Sequence, residues 1–181
     1  MSESATTQRG PSIRAARPHF HVVLHEPEIP NNTGNIGRTC VATGCGLHLI
    51  HPLGFDISEK ACRRAGLDYW PRLGVREHLS WSEYRDAEKP ARSWVLSTKA
   101  TRCVFDADLR PGDHLVFGKE TAGLPADILA EMSDRAVALP MVAGERSLNL
   151  ATAVCAVVYE GLRQLIARGE ASVGPGGRLE A

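Results

Sequence analysis

The 181-residue sequence has no uninterrupted apolar run near the ~20 residues that a bilayer-spanning helix needs, and its first residues lack the apolar core of a secretory signal. It also lacks an excess of either charge: 21 Lys and Arg balance 21 Asp and Glu. No global basic field announces nucleic acid, so any RNA surface must be a local patch. The cysteines (Cys40, Cys45, Cys62, Cys103, Cys155) are odd in number and form no C-x-x-C. That speaks against a disulfide framework and against a zinc site, and for reduced thiols in a cytoplasmic protein. The seven histidines form no H-E-x-x-H signature, and no metal is expected. The G-x-S-x-G elbow of serine hydrolases and the Walker phosphate loop are both missing. What remains is ordinary globular composition, 43% hydrophobic and 23% charged, at a length suited to one domain.

Residues 1–18 carry Ser, Thr, Pro, Gly and three arginines (Arg9, Arg14, Arg17) without apolar period, and read as a flexible tail. The glycine-rich end, 169–181, reads the same way, which leaves one domain over 19–168. Within it, strand-like runs (20–25, 46–51, 93–98, 114–118, 135–140) alternate with helix-like ones (35–43, 58–66, 125–132, 150–167). A mixed strand-and-helix stretch covers 75–87. Leu150, Val154, Val157, Val158, Leu162, Leu165 and Ile166 recur at helical spacing, and small residues fill the other side. Alternation of this kind predicts an α/β fold, a parallel sheet with helices on both faces. Ligands of such sheets sit beyond the carboxyl ends of the strands. Three loops leave those ends, at 26–34, 118–125 and 141–149.

The first loop leads into Asn31-Asn32-Thr33-Gly34-Asn35-Ile36-Gly37-Arg38. Backbone amides at a helix start there favour an anion such as phosphate, and Arg38 is placed to grip the same phosphate bidentately. An ordinary capped helix is the plain alternative. A dinucleotide fingerprint, which would suggest a nicotinamide dehydrogenase, needs a third glycine where Asn32 stands. The second loop is Phe117-Gly118-Lys119-Glu120-Thr121-Ala122-Gly123-Leu124-Pro125. Its glycine follows a strand and permits close approach of a ligand. Glu120 beside it can accept hydrogen bonds from a ligand or from Arg38. The third runs from Leu139-Pro140-Met141 to Arg146-Ser147-Leu148-Asn149-Leu150. Ser147 and Asn149 stand at the mouth of the apolar helix, where capping and ligand binding can coexist.

Together, N-x-G-N-I-x-R, F-G-x-E-x-x-G-L-P and L-P-M…R-S-L-N-L…V-V-Y-E resemble, in order and spacing, the three motifs of the SPOUT superfamily of trefoil-knotted RNA methyltransferases. The strings His25-Glu26-Pro27-Glu28-Ile29-Pro30 and Arg63-Arg64-Ala65-Gly66-Leu67-Asp68-Tyr69 are similar to the small tRNA (cytidine/uridine-34-2′-O)-methyltransferases of that superfamily. The resemblance covers about residues 21–168. It implies a deep C-terminal knot over about 118–167 and a homodimer with the last and first helices near the interface. It also implies methyl transfer from S-adenosylmethionine (AdoMet) to the 2′-hydroxyl of wobble nucleotide 34, in leucine tRNAs, with the anticodon stem-loop as partner and no membrane.

By that resemblance Leu96, Gly118, Leu139, Met141, Ser147 and Leu148 hold AdoMet. Arg38, Glu120 and Asn149 are the catalytic set, while Asn32, Asn35, Arg38, Arg63, Arg64 and Tyr159 meet RNA, with Lys60 and the tail arginines as further phosphate contacts. Many such proteins carry Ser after the Asn-Leu of the third motif; here Ala151 stands there. The alternatives are 2′-O-methylation at another tRNA or rRNA position and a non-catalytic RNA-binding module, which would not bind AdoMet.

Overall fold

The computed structural model describes residues 17–58, 64 and 66–180. Six parallel strands form one sheet in the order β3-β2-β1-β5-β4-β6: β1 Phe20–His25, β2 Gly46–Ile50, β3 Arg76–His78, β4 Ser93–Leu96, β5 Asp113–Phe117 and β6 Ala136–Val137. The central strands are buried on both sides, which is why they read as near-continuous apolar runs. One face carries Phe20, Val22, Leu24, Leu47, Leu49, Leu115 and Phe117. Helices α1 (Pro30–Thr43) and α5 (Leu150–Ala167) pack on it through Ile36, Cys40, Val154, Val157, Val158 and Leu162. The other face, with Val23, Ile50, Val95 and Val116, is covered by α3 (Trp81–Glu88) through Tyr84 and α4 (Ala126–Glu131) through Ile128. A single turn of helix, α2 (Trp70–Leu73), lies against α1.

Several elements differ from the sequence reading. Helix α1 begins at Pro30, five residues before the expected start at 35, because Pro suits a first helical turn whose N–H groups have no partner inside the helix. Asn31 to Gly34 are therefore helical. The mixed stretch 75–87 resolves into β3 and α3, with Ser80 accepting a bond from the Glu83 amide as N-cap. The strand expected over 135–140 is cut to two residues, extended by an isolated bridge between Cys103 and Ala138. Most of the helix expected over 58–66, with Lys60 and Arg63, lies outside the described residues. The glycine-rich end, expected to be loose, folds into an antiparallel hairpin of β7 (Ser172–Gly174) and β8 (Arg178–Glu180), and Leu179 packs on the core. Helix α5 is long and apolar enough by composition to cross a membrane, but Val154, Val157, Val158, Leu162 and Leu165 spend that character in the core.

Candidate functional site

The three loops meet beyond the carboxyl ends of β1, β5 and β4, and side chains sew them together. Strand β1 leads into Glu26, which sits at φ 51° and turns the chain away from the sheet. Its carboxylate accepts from Lys119 Nζ at 2.9 Å. Glu28 Oε2 accepts from the Thr121 amide and hydroxyl at 3.1 and 2.8 Å. In return, Glu120 Oε2 accepts from the Glu28 amide at 2.8 Å, and its Oε1 accepts from the Ile29 amide at 3.3 Å and Asn32 Nδ2 at 3.0 Å. Asn32 Oδ1 then accepts from Asn149 Nδ2 at 2.9 Å, and Asn149 Oδ1 caps α5 through the amides of Ala151 and Thr152 at 2.9 and 3.3 Å. One directed chain, Asn149 to Asn32 to Glu120, ties the third motif to the first and the first to the second.

This arrangement corrects one expectation. The start of α1 is indeed an anion site, but the anion is the protein's own Glu120. It accepts from the amides of Glu28 and Ile29, just ahead of the helix, and from the Asn32 side chain in its first turn, where the helix dipole favours negative charge. Phosphate is not needed there, and Glu120 holds the loop and Asn32 rather than Arg38.

Beside this chain lies a cavity of about 610 Å³. Leu96, Gly118, Leu139, Met141, Ser147 and Leu148 all line it, together with Asn32, Glu120, Asn149 and Arg146. Its size falls within the range of small-molecule sites. Gly118 is required by space: a Cβ there would stand 2.0 Å from the Gly123 carbonyl carbon and 2.2 Å from the Leu124 nitrogen. The turn over it is closed by the Gly123 amide donating to Lys119 O at 2.9 Å. Ser147, Leu148 and Asn149 form an exposed outer wall without regular structure.

Arg38 stands elsewhere on α1. Asn31, Asn35 and Arg38 follow one another at helical spacing on its exposed face. They line a separate hollow of about 350 Å³ with Asp56, Gly66 and Tyr69. The Arg38 guanidinium lies over the Tyr69 ring, 4.5 Å from its centroid. Tyr69 is itself buried and donates its hydroxyl to Gly34 O. Gly34 and Gly37, expected in a phosphate loop, are helical and make room for neighbours. A Cβ on Gly37 would stand 3.0 Å from both Leu73 and Trp70. Arg64 is exposed, and Arg63 lies outside the described residues. Tyr159 lines neither hollow; it is exposed on α5 beside Ala42, Ile166 and Leu179. Sequence reasoning missed Glu28 and Tyr69 as site residues, although both stood in quoted strings, because their partners lie 93 and 35 residues away.

A model of the SpoU rRNA Methylase family matches residues 19–159. The chain belongs to the SpoU methylase family. A tRNA (cytidine(34)-2′-O)-methyltransferase of Saccharophagus degradans is 49% identical over 147 residues, 81% of this chain and 96% of that protein. The protein of the same name from Escherichia coli K12 is 47% identical, covering 81% and 94%. A solved structure concerned with 2-OH methylation of C/U34 on tRNA superposes with a TM-score of 0.77 at 44% identity, covering 84% of this chain and all of that one. The SpoU methyltransferase AviRb of Streptomyces viridochromogenes, solved with AdoMet, gives 0.69 at 29% identity over 84% of this chain and 60% of its own.

Proposed function

We propose that this SpoU methylase transfers a methyl group from AdoMet to the 2′-hydroxyl of nucleotide 34, cytidine or uridine, in tRNA, with leucine tRNAs as its substrates in the cytoplasm. The observation that carries the reading is the Asn149–Asn32–Glu120 chain: it closes three distant loops around one cavity and leaves Arg38 on the next face of α1, over the Tyr69 ring. The relatives' names and the AdoMet-bound AviRb support it.

The cavity suits AdoMet in both size and lining. Leu96, Leu139, Met141 and Leu148 offer apolar walls for an adenine ring, Ser147 a hydroxyl at one edge, and Gly118 a strand end that a ligand can approach closely. When bound, AdoMet supplies an electrophilic methyl group on a positive sulfonium. The remaining work falls to the chain. Arg38 anchors an RNA phosphate bidentately and holds the ribose for attack, with reacting atoms about 3–3.5 Å apart. A guanidinium does not surrender its proton in a protein, so Arg38 is not the base. With the donor bound, the hydroxyl proton would pass to the phosphate that Arg38 holds, or to water. Glu120 and Asn149 act as positioning residues, since their polar atoms are spent on the loops.

The same reading includes the knot over about 118–167 and a homodimer. The exposed strip on α5 with Tyr159 (55% exposed) and Ile166 (39%), beside Ala42 of α1, is the surface for the second copy. Arg64 and Asn35 extend the RNA surface.

The test is Arg38→Ala. AdoMet affinity by calorimetry should stay within about twofold, while methyl transfer to unmodified tRNA falls by at least about 10², the scale of a misplaced reactant. Near-normal turnover removes Arg38 from the mechanism, and a wild-type chain that retains no AdoMet overturns the whole reading.

A further inference from the structure

Away from the cavity, four histidines cross one face of the sheet obliquely: His21 on β1, His48 on β2, His78 on β3 and His114 on β5. None lines the methyl-transfer cavity. His48 is 1% exposed, and His78 and His114 are 5% exposed. His48 Nδ1 lies 3.1 Å from His78 Nε2. Glu88, at the last turn of α3, turns its Oε1 toward both rings, 3.8 Å from each of those nitrogens. We propose that His48 Nδ1, His78 Nε2 and Glu88 Oε1 form a binding site for one divalent transition metal ion of the zinc type.

Geometry is the first ground. Three donors at separations of 3.1, 3.8 and 3.8 Å share a point about 2.1 Å from each, within the ~2.0–2.2 Å of zinc–nitrogen and zinc–oxygen bonds. Pulling the carboxylate in by a few tenths of an ångström makes the set pyramidal and opens a fourth position for water. The donor set is the second ground: two imidazoles and one carboxylate suit Zn²⁺, Co²⁺ or Ni²⁺ rather than Mg²⁺ or Ca²⁺. The outer contacts are the third. Arg76 Nη1 holds Glu88 Oε2 at 2.6 Å, leaving Oε1 for the ion. His48 Nε2 meets His21 Nδ1 at 2.9 Å, a contact that orients the ring and gives its outer nitrogen a partner when Nδ1 holds the ion.

A competing triad, His21, His48 and His114, also brings three nitrogens together. It offers no carboxylate to balance a dication. The Glu88 set is therefore the site. An ion there pins the end of α3 to β3, the edge strand of the sheet, and acts on the fold rather than on methyl transfer.

The experiment is titration of the metal-stripped full-length chain with Zn²⁺ by calorimetry and with Co²⁺ by visible absorption, alongside melting curves. The expected result is one ion per chain, the d–d bands of four-coordinate Co²⁺ and a higher melting temperature with Zn²⁺. Glu88→Gln is nearly isosteric and keeps a partner for Arg76, so it should fold and lose the ion; His78→Gln should lose it too. His114→Gln should still bind. No saturable uptake, or uptake that survives both Glu88→Gln and His78→Gln, overturns the proposal. So does loss in His114→Gln while Glu88→Gln still binds, since that places the ion on the other triad.

Discussion

The two polar regions of this sheet solve burial in opposite ways. At the strand ends, the Glu120 carboxylate collects three donors at the approach to and first turn of α1, while Asn32 and Asn149 relay the connection to α5. Across the sheet face, histidines instead satisfy one another: His21 with His48, His48 with His78, and His114 with Tyr84. The first region joins loops 88 to 117 residues apart, and a charged acceptor gives it stronger, directed bonds. The second joins neighbouring strands and α3, and burial keeps it uncharged. A charged acceptor suits a site that must hold three loops in fixed relation.

Breaking the strand-end region should have the largest effect. Gly118→Ala drives a Cβ into the Gly123–Leu124 backbone and displaces the second loop. A displacement near 1 Å should lower methyl transfer by roughly 10²-fold or more, and calorimetry should show AdoMet affinity falling with it. Unchanged affinity would mean that this loop does not border the donor. Glu120→Ala comes next. It strands the Asn32 amide and two backbone amides, at about 1–3 kcal/mol for a buried unsatisfied group. Glu120→Gln keeps an acceptor and forfeits mainly the favourable charge at the helix start, about 0.3–1 kcal/mol. Chemical denaturation should rank wild type above Gln above Ala; equal stability of all three would show that the network holds nothing.

The sheet-face region should answer to acid instead. Burial lowers His114 to about 3, with His21, Arg76 and His78 adding to the effect, while in the unfolded chain the ring returns to 6.5. Between those values the unfolded chain binds the extra proton, so acid favours unfolding. The melting temperature of metal-free protein should be level above pH 7 and fall as pH drops below about 6.5. His114→Gln should flatten that slope. A melting temperature independent of pH from 7 to 5 would show that the rings are not held neutral.

The contrast also separates what the sequence discloses from what it conceals. Alternating strand and helix patterns are local, so the parallel sheet and the long α5 were legible from apolar spacing alone. The three loops were legible as sites because strand ends collect ligands, and all six residues assigned to the donor line one cavity. Partner choice was not legible. Glu120 against Asn32 and Arg38 over Tyr69 depend on folded loop positions that no spacing encodes. The start of α1 was misplaced because Asn, Thr and Gly favour turns, and only the tertiary bond to Glu120 repays their use in a first helical turn. The histidine row escaped notice because its members come from four strands in a diagonal register rather than from one helix face.

The smallest expected effect lies at Ala151, where the family resemblance leads one to expect serine. The half-buried Ala151 donates its amide to Asn149 Oδ1 at 2.9 Å in the first turn of α5. Thr152 is exposed, and one residue turns a helix by about 100°, so its hydroxyl does not stand in for a serine at 151. The network is closed without either hydroxyl, since Asn149 Oδ1 takes two amides and its Nδ2 is held by Asn32. A serine Oγ added at 151 thus finds no vacant role in the loop-holding chain. Ala151→Ser should change stability by less than about 0.5 kcal/mol and turnover by less than about threefold, a barrier change of roughly 0.65 kcal/mol. A tenfold gain in turnover with AdoMet affinity unchanged would show instead that a hydroxyl at 151 acts on the RNA, and that this chain performs the reaction with one contact fewer.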